Sequence, residues 1–244
     1  TRDRTNRALG VTEPKEVGEK MTALMKPDVG AIMRAPWKGI GLALDGMSMA
    51  PRKVLFKGAC QQVVMEEPDV TVLPIPKTWP EDGGRFMTLP LVVTADPKTG
   101  EHNMGMYRSQ VFGPTEVGLH WQAHKHGADH ADAATGRMPV AICLGGPPEL
   151  TFSAIAPLPD NLSEYEFAGL LSGRRLPIVK CKTNDLWVPA DCDIVIEGYT
   201  VPGETRMEGP FGDHFGYYSL AEPYPCLLYT SPSPRDLSTS RMPS

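Results

Sequence analysis

The 244 residues of this chain have room for one large domain or two smaller ones, and the hydrophobic (41%) and charged (22%) contents are ordinary for a globular protein. The net charge of −5 excludes a general electrostatic attraction to nucleic acid or to an anionic membrane. The apolar runs are too short to span a bilayer. The five cysteines are scattered and form no CxxC pair, which favours reduced, cytosolic thiols over a disulfide framework or a zinc ribbon.

Residues 1–50 combine short helical patterns with loops, and we interpret them as an incomplete N-terminal α/β segment. The clearest helix is predicted over residues 14–25, where Lys15, Glu16, Glu19 and Lys20 would form the polar side. Residues 33–49 are rich in glycine, methionine and alanine and show weak periodicity.

From residue 53 the sequence becomes strand-like. Apolar runs bounded by proline, glycine and aspartate predict strands at 54–56, 60–65, 71–75, 86–95, 103–112 and 117–121. The intervening segment 96–100, Asp-Pro-Lys-Thr-Gly, predicts a turn that joins two of these strands as a hairpin. The 25 prolines and 24 glycines fit short strands joined by shaped loops and argue against a helical bundle.

Helical and strand patterns alternate through residues 127–199. Helices are predicted at 127–135, 148–156 and 163–171, and strands at 138–144, 177–182 and 193–199. The helix at 163–171 has the strongest boundaries: Ser163 suits the N-cap, Glu164 and Glu166 suit the first turn, and Gly173 follows the end. Together the elements predict an α/β (α+β) fold with a strand-rich unit over residues 51–225.

The C-terminal segment 226–244, CLLYTSPSPRDLSTSRMPS, differs in character from the rest. It is rich in serine and proline and has no periodic apolar face, as is typical of a disordered terminus. It is also similar to the translated read-through of a sequencing-library adapter. We therefore interpret it as a non-native tail from Cys226, exclude it from the fold prediction, and expect the natural protein to continue beyond Pro225.

Residues 208–218 set two carboxylates, an imidazole and two phenols among glycines and a proline. Glycine and proline fix backbone shapes that no regular element adopts, and acid/base groups on a shaped loop suit proton transfer. Composition alone leaves two interpretations open. One is a polar surface turn, and the other is an acid/base loop that contains Glu208 and Asp213.

Two other segments concentrate groups that could carry chemistry. Residues 103–110 would place Met106, Arg108 and Gln110 on one face of a strand, where an inward arginine clamps a carboxylate or phosphate; a surface arginine is the ordinary alternative. Residues 120–130 contain four of the six histidines, and His120 and His124 stand one helical turn apart, as zinc ligands often do. The chain has neither a HExxH motif nor a nucleotide-binding fingerprint of the GxGxxG or P-loop type.

Several segments, taken together and in this order, resemble the UbiD family of decarboxylases, which use prenylated FMN. They are WPEDGGRF at 79–86, NMGMYRSQ at 103–110, HWQAHKHGA at 120–128, LSEYEFAGLL at 162–171, VKCKTNDLWVPA at 179–190 and EGPFGDHFGYYS at 208–219. The resemblance implies that a split β-barrel, which binds the flavin, occupies residues 51–225 after the N-terminal segment. It also implies that the family's C-terminal α/β domain is missing from this chain.

The resemblance assigns roles to individual residues. Arg108, Glu208 and Asp213 match the family's catalytic network, in which we expect one carboxylate to orient Arg108 and the other to donate a proton. Asn103, His124 and Glu164 match the ligands of a divalent metal ion, Mn²⁺ or Mg²⁺, that links the protein to the cofactor phosphate. The full set matching cofactor-binding positions is Asn103, Met106, Tyr107, Arg108, Ser153, Ala154, Ala156, Pro157 and His214, with a monovalent cation such as K⁺ nearby.

The implied activity is the non-oxidative, reversible decarboxylation of an aromatic or α,β-unsaturated acid. For bacterial members the default substrate is a polyprenyl-hydroxybenzoate of ubiquinone or menaquinone biosynthesis, which would bring peripheral membrane contact; phenolic, cinnamic-type and heteroaromatic acids are alternatives. The resemblance further implies a flavin prenyltransferase as cofactor supplier, a homo-oligomer for the full-length protein, a cytoplasmic location and no nucleic-acid partner. The chain as printed, without the missing domain, is expected to be inactive.

Three other hypotheses remain open at this level. A flavin oxidoreductase on a split barrel would use ordinary FMN and consume NAD(P)H. A zinc hydrolase would need two or three of His120, His124, His126 and His130 as ligands. A non-enzymatic binding or assembly subunit would share the fold without the chemistry.

Overall fold

The computed structural model describes residues 2–25, 36–121, 126–159 and 162–229. Its helices are α1 (Arg2–Ala8), α2 (Lys15–Met25), α3 (Pro36–Met49), α4 (His126–Ala133), α5 (Pro148–Ser153) and α6 (Glu164–Ser172). Its strands are β1 (Arg52–Val54), β2 (Arg85–Met87), β3 (Leu91–Ala95), β4 (His102–Met106), β5 (Ser109–Gly113), β6 (Glu116–Leu119), β7 (Met138–Leu144), β8 (Pro177–Lys180), β9 (Trp187–Pro189), β10 (Ile194–Glu208), β11 (Phe211–Gly212), β12 (Tyr218–Ser219) and β13 (Glu222–Tyr229).

The main sheet has eight antiparallel strands in the order β2-β5-β6-β13-β10-β7-β3-β4. A smaller sheet has the order β1-β8-β9, in which β1 and β8 are parallel, and β11 pairs with β12 as a short ribbon. Helices and an antiparallel sheet therefore share one fold, which confirms the predicted α/β (α+β) class.

Both faces of the main sheet are buried, because alternate side chains along its strands enter two different hydrophobic cores. In β3, Leu91 and Val93 join a core formed with α6 and the small sheet, while Val92 faces the other way. The second core gathers apolar residues from β3, β6, β7, β10 and β13: Val92, Val117, Leu119, Val140, Ile142, Ile196 and Leu227. Because strands far apart in the sheet order contribute to one core, that face is the inside of a curled sheet, as in a half-barrel.

The curl brings the two ends of the sheet order together. Strand β4 lies at one end of the order and β5 lies next to the other end, yet only Tyr107 and Arg108 connect them. Consecutive Cα atoms are about 3.8 Å apart, so Met106 and Ser109 cannot be separated by more than about 11 Å. We call this two-residue connection the seam, and it carries two of the predicted site residues.

Helix α6 links the sheet to the N-terminal helices. It begins as predicted: Ser163 is the N-cap, and its side chain and that of Glu166 form a reciprocal capping box. It ends at Gly173, whose φ of 65° is the left-handed conformation that favours glycine. One side of α6 packs against α2 and the segment that joins α1 to α2; the core residues are Phe167, Leu170 and Leu171 with Leu9, Val11 and Val17.

The close packing of α3 on α6 depends on Gly169, since a Cβ atom there would lie 2.2 Å from the carbonyl oxygen of Ser48. We expect Gly169→Ala to destabilise the chain by about 1–3 kcal/mol in urea unfolding, although alanine favours helices over glycine by about 1 kcal/mol. Gly18→Ala in α2 is the matched control, because nothing lies within 4 Å of its added Cβ. It should stabilise the chain slightly; the same sign for both variants would contradict the packing argument.

Two of the predicted strands are wrong, and the one predicted at 54–56 is displaced, since β1 ends at Val54 and Leu55 and Phe56 are 85% and 87% exposed. The segment predicted as a strand at 60–65 contains a 3₁₀ turn (Ala59–Gln61), and the side chain of Gln61 donates to the carbonyl of Lys180 at 2.7 Å. Val63 is 87% exposed, so this apolar run is not a core strand. The predicted strand at 71–75 begins with another 3₁₀ turn (Val70–Val72), because the carboxylate of Asp69 accepts from the backbone of Thr71 and caps it.

Other predicted elements are confirmed with different limits. The predicted run 86–95 is divided into β2 and β3, and 103–112 is divided by the seam into β4 and β5. The strand predicted at 193–199 continues as β10 to Glu208, which carries that carboxylate at the strand end. Part of the weakly periodic stretch 33–49 forms α3. Residues 26–35 lie outside the described residues.

The last strand corrects the boundary placed at Cys226. Strand β13 continues through Tyr229, pairing Cys226 with Gly118 and Leu227 with both Val117 and Thr200. Cys226 and Leu227 are buried, at 4% and 0% exposure. The short apolar run at the start of the segment was overlooked because serine and proline dominate its composition. The ordered strand therefore extends four residues beyond Pro225, while the non-native origin of the segment from Cys226 stays a prediction; residues 230–244 lie outside the described residues.

None of the helices in the described ranges is both long and apolar enough to cross a membrane.

Candidate functional site

A buried ion pair lies where the seam meets the end of β10. Glu208 has 0% exposure, and its Oε1 and Oε2 accept from Nε and Nη2 of Arg108 at 2.8 and 3.0 Å. This two-point geometry fixes the orientation of the guanidinium. The expectation of an inward, carboxylate-bound arginine rather than a surface one agrees with this arrangement.

His120 is a third member of the cluster that sequence reasoning missed in this role. Its Nδ1 lies 3.0 Å from Oε2 of Glu208, and its backbone N–H donates to the carbonyl of Arg108 at 3.1 Å. Its ring lies 4.2 Å from that of Tyr224, and the ring of Phe211 lies 4.6 Å from the guanidinium of Arg108. The sequence showed His120 only as part of a histidine cluster, and no local spacing relates it to a glutamate at the end of a distant strand.

The electrostatics of Glu208 follow from these partners. Burial alone would raise the pKa of Glu208, because it penalises the charged form. Hydrogen bonds from His120 and Arg108, with the nearby positive charge of Arg108, outweigh burial and hold the pKa of Glu208 below its ordinary value of 4.5. Glu208 is therefore an ionised anchor for Arg108.

A second loop holds the segment after Glu208 in place. Asp82 is buried, and its carboxylate accepts from the backbone N–H groups of Trp79 and Gly212 at 2.8 and 2.7 Å. The backbone of Gly83 donates to Pro210 at 2.7 Å. We call loop 79–84 and segment 208–212 together the clasp. Hydrogen bonds to backbone groups of the clasp thus fix the end of β10. Gly209 adopts a φ of 98°, and the Gly209-Pro210 peptide bond is cis.

A cleft of about 750 Å³ opens beside the seam. The predicted cofactor and metal residues that line it are Asn103, Met106, Tyr107, Ala154, Ala156, Pro157 and Glu164. They come from β4, the seam, the segment after α5 and the start of α6. Tyr107 can lie over Gly105 only because position 105 has no side chain: a Cβ atom there would come within 2.5 Å of the phenol ring. The cleft is within the size range of small-molecule and cofactor sites, about 300–1,000 Å³.

Three predicted site residues that the structure describes neither line the cleft nor contact the Arg108–Glu208 pair. Ser153 is fully buried, and its hydroxyl donates to the carbonyl of Glu149 within α5 rather than facing the cleft. Asp213 lies on the exposed turn between β11 and β12, where it pairs with His214; their side chains are 48% and 80% exposed. Within the described residues, the hydrogen bonds of the Glu208 carboxylate are with Arg108 and His120 and not with that pair. His124 lies outside the described residues.

The two predicted metal ligands that are described carry donor atoms that suit a divalent cation. Asn103 is 8% exposed and lines the cleft, and its amide would bind a cation through Oδ1; its Nδ2, a donor, has no hydrogen-bond partner among the described residues. Glu164 lines the same cleft at the first position of α6, and its Oε2 accepts from the backbone of Met104 at 3.2 Å. An amide, a carboxylate and an imidazole from His124 would make a donor set suited to Mn²⁺ or Mg²⁺ beside phosphate. In the described residues no group of three histidine, cysteine or acidic side chains is already placed to hold a metal.

The two clustered histidines with described side chains, His120 and His130, have different partners in the structure. The Nδ1 of His120 contacts Glu208, whereas the Nδ1 of His130 lies 2.9 Å from the hydroxyl of Thr94. The side chains of His124 and His126 are not described. The contacts of His120 and His130 thus give the zinc-hydrolase hypothesis no support.

The structure is that of an α/β protein with a curled antiparallel sheet, a cofactor-sized cleft lined in part by Tyr107 of the seam, and a buried ion pair formed by Arg108 of the seam and Glu208. Comparison with known proteins makes this class specific. The sequence model of the UbiD family, described as the 3-octaprenyl-4-hydroxybenzoate carboxy-lyase Rift-related domain, matches residues 52–231. The chain belongs to the UbiD family, which confirms the resemblance noted in the sequence.

The relatives span about twice the matched length. An uncharacterised protein of Archaeoglobus fulgidus is 45% identical over 234 residues, which cover 94% of this chain and 48% of that protein. The UbiD-class enzyme HmfF from Pelotomaculum thermopropionicum, solved with FMN, has a TM-score of 0.78 at 27% identity, covering 94% of this chain and 48% of that one. An evolved dimeric HmfF was solved with prenylated FMN. Vanillic acid decarboxylase from Sedimentibacter hydroxybenzoicus, in its closed form, has a TM-score of 0.79 at 28% identity, covering 94% and 47%.

Proposed function

We propose that this chain is the cofactor-binding and substrate-orienting part of a non-oxidative carboxy-lyase that acts on an aromatic or α,β-unsaturated acid with prenylated FMN and Mn²⁺ or Mg²⁺. The observation that carries the proposal is the two-residue seam: Tyr107 lines the cleft together with Asn103 and Glu164, and the next residue, Arg108, is held by the buried Glu208. Family membership supports it, since the named structural relatives include a decarboxylase and flavin complexes.

In this proposal Asn103, Glu164 and His124 hold the metal ion beside the cofactor phosphate, and Met106, Tyr107 and the segment 154–157 line the flavin. The modified flavin supplies the electron-accepting chemistry that lets CO₂ leave. The chain supplies the remaining functions: it must bind the carboxylate, orient it and return a proton to carbon.

Arg108 is the group that binds the substrate carboxylate. Glu208 occupies its Nε and Nη2, and Ser219 accepts a further contact from Nη2 at 3.3 Å, so the guanidinium is held at a fixed angle. Fixed orientation is a large part of catalysis, since a misplacement of about 1 Å can cost about 10²-fold in rate.

The two carboxylates of the predicted network divide their roles on this basis. Arg108 and His120 hold Glu208 ionised, so Glu208 is the orienting carboxylate. The proton donor is then Asp213, which lies in the structure on the exposed turn after β11. The donor role requires this turn to approach the cleft when substrate is bound. His214 and a K⁺ ion near residues 153–157 complete the proposed cofactor surroundings.

The finer assignments extend the same proposal. The substrate class includes the polyprenyl-hydroxybenzoates of ubiquinone or menaquinone biosynthesis, with membrane contact through the prenyl chain. A flavin prenyltransferase supplies the cofactor, the complete protein is a homo-oligomer, and the location is cytoplasmic. The 244-residue chain by itself, about half the length of its relatives, is inactive.

Metal and flavin binding test the site without turnover. We expect Asn103→Ala and Glu164→Gln each to weaken Mn²⁺ binding by about 10-fold or more. Loss of a residue that only hydrogen-bonds to a metal ligand already costs about 10–100-fold in affinity, and loss of a direct ligand should cost at least as much. Mn²⁺ binding is measured by electron paramagnetic resonance and FMN binding by fluorescence quenching. Glu19→Gln on the exposed side of α2 is the control carboxylate. Unchanged Mn²⁺ affinity in both cleft variants would refute the metal assignment.

Decarboxylation itself is tested on the complete gene product loaded with prenylated FMN. The acids to supply are vanillic acid, which the name of a structural relative contains, 3,4-dihydroxybenzoic acid as a second phenolic acid, and cinnamic acid. CO₂ release without NAD(P)H consumption supports the carboxy-lyase, whereas NAD(P)H consumption would favour the oxidoreductase hypothesis.

A further inference from the structure

The carboxylate of Glu208 has more anchors than an arginine clamp needs. Oε1 accepts from Arg108 alone, while Oε2 accepts from Nη2 of Arg108 and lies equally close, at 3.0 Å, to Nδ1 of His120. An ionised carboxylate can only accept, so the hydrogen of this third contact lies on Nδ1 of His120. Glu208 has 0% exposure, which means that protein groups alone replace the water that its charge has lost.

His120 is joined to both members of the pair. Its imidazole contacts Glu208, and its backbone N–H donates to the carbonyl of Arg108 at 3.1 Å. The residue immediately follows β6, whereas Arg108 lies in the seam and Glu208 ends β10. Three separate parts of the sheet therefore meet at one hydrogen-bonded cluster. The rings of Tyr224 and Phe211 cover His120 and Arg108, at 4.2 and 4.6 Å, and limit the movement of both.

We propose that His120 is a positioning residue of the active site, which anchors Glu208 so that Arg108 presents its guanidinium to the substrate carboxylate. The role rests on the proposed function of Arg108 and adds to it a residue that acts through Glu208. Without the third contact, Glu208 keeps only its partner Arg108 and can rotate with it. The orientation of Arg108 then depends on the arginine side chain alone.

The charge state of Glu208 gives a readout that packing alone would not change. Within the described residues, the charged or titratable groups around Glu208 are Arg108 in the seam, His120 after β6, and Tyr224 with Glu222 on β13, whose side chains bond to each other at 3.1 Å. The pKa of Glu208 is lowered by His120 and Arg108 against the effect of burial. The ionised form therefore contributes its full stability above the ordinary pKa, and this contribution is lost as the pH falls through the folded pKa.

Two substitutions separate hydrogen bonding from packing. His120→Phe keeps a flat ring against Tyr224 and removes the donor. His120→Asn can place an amide N–H near the position of Nδ1 without carrying a charge. Both are made in the complete gene product, and the Glu208 carboxylate is titrated by infrared spectroscopy with the spectrum of Glu208→Gln subtracted. Tyr224→Phe is the control, because it keeps the ring that covers His120 and loses only the hydroxyl.

We expect His120→Phe to raise the pKa of Glu208, to move the acid limb of kcat/KM to higher pH, and to lower kcat/KM for vanillic acid or 3,4-dihydroxybenzoic acid by about 10–10²-fold, mainly through KM. His120→Asn should recover most of this loss, and FMN affinity should stay unchanged in both variants. An unchanged Glu208 titration and KM in His120→Phe would overturn the proposal, and so would equal losses in both variants with weakened FMN binding. Absence of turnover in the parent protein would count against the proposed function, while the titration would still decide the role of His120.

Discussion

Glu208→Gln is expected to lower kcat/KM of the complete gene product, loaded with prenylated FMN, by about 10²-fold or more, while FMN binding survives. Glutamine has nearly the same shape as glutamate but removes the charge that Arg108 and His120 contact. Its amide also presents a donor to groups that are themselves donors, so the guanidinium loses the two-point contact that fixes its angle.

The same substitution should reduce stability. Breaking a buried ion pair by removing one partner typically costs about 3–5 kcal/mol, because the remaining charge is left without its partner. Arg108 is 18% exposed and can recover some hydration, which places the expected loss at or below the lower end of that range. Urea unfolding and steady-state kinetics measure the two effects.

Glu204→Gln is the matched control for this experiment. Glu204 lies on the same strand, β10, but its side chain is exposed. It should change neither stability nor turnover by a measurable amount. Near-normal turnover of Glu208→Gln would refute the orienting role of this carboxylate.

The second large effect is expected at the clasp, from Gly83→Ala. A Cβ atom at position 83 would lie 2.1 Å from the carbonyl oxygen and 2.5 Å from the carbonyl carbon of Gly209. Both are backbone atoms, so no side chain can move aside to relieve the contact. The variant must separate loop 79–84 from segment 208–212 and lose the hydrogen bond from Gly83 to Pro210.

Overpacking of this kind typically costs about 1–3 kcal/mol in stability. The effect on turnover should be larger in proportion, about 10²-fold, because the clasp holds the backbone directly after Glu208. Gly136→Ala is the control, since nothing lies within 4 Å of its added Cβ. Chemical denaturation and kinetics of the two variants, measured side by side, decide the point: equal behaviour would contradict the close approach of the two loops.

Elements with strong local signals were predictable from the sequence. Helix α6 is the clearest case, because Ser163, Glu166 and Gly173 specify its start and end through contacts within the element itself. The strands β3 and β7 were also found, since continuous apolar runs are typical of strands with both faces buried. The wrong strand at 71–75 shows the limit of this reasoning: the carboxylate of Asp69 turns an apolar run into a 3₁₀ turn.

The site was predictable only in part, for a physical reason. The family motifs pointed to Asn103, Tyr107, Arg108, Glu164 and Glu208. In the structure Asn103, Tyr107 and Glu164 line the cleft, Arg108 lies in the seam, and Glu208 lies at the end of β10. The contact of His120 with Glu208 arises from strand order across the sheet, which no local pattern encodes. Asp213 is the opposite case: the family motif predicts it as a site residue, but in this structure it lies on an exposed turn.

The seam constrains the number of residues between β4 and β5 as well as their identity. Tyr107 and Arg108 are the whole connection between β4 and β5, so one residue more or fewer would shift Arg108 against Glu208 or change the pairing of these strands. The turn at 96–100, which joins β3 to β4 at the outer end of a hairpin, carries no such constraint. Insertions and deletions in homologous genes should therefore be frequent at that turn and rare between residues 106 and 109, even where the amino acids themselves vary.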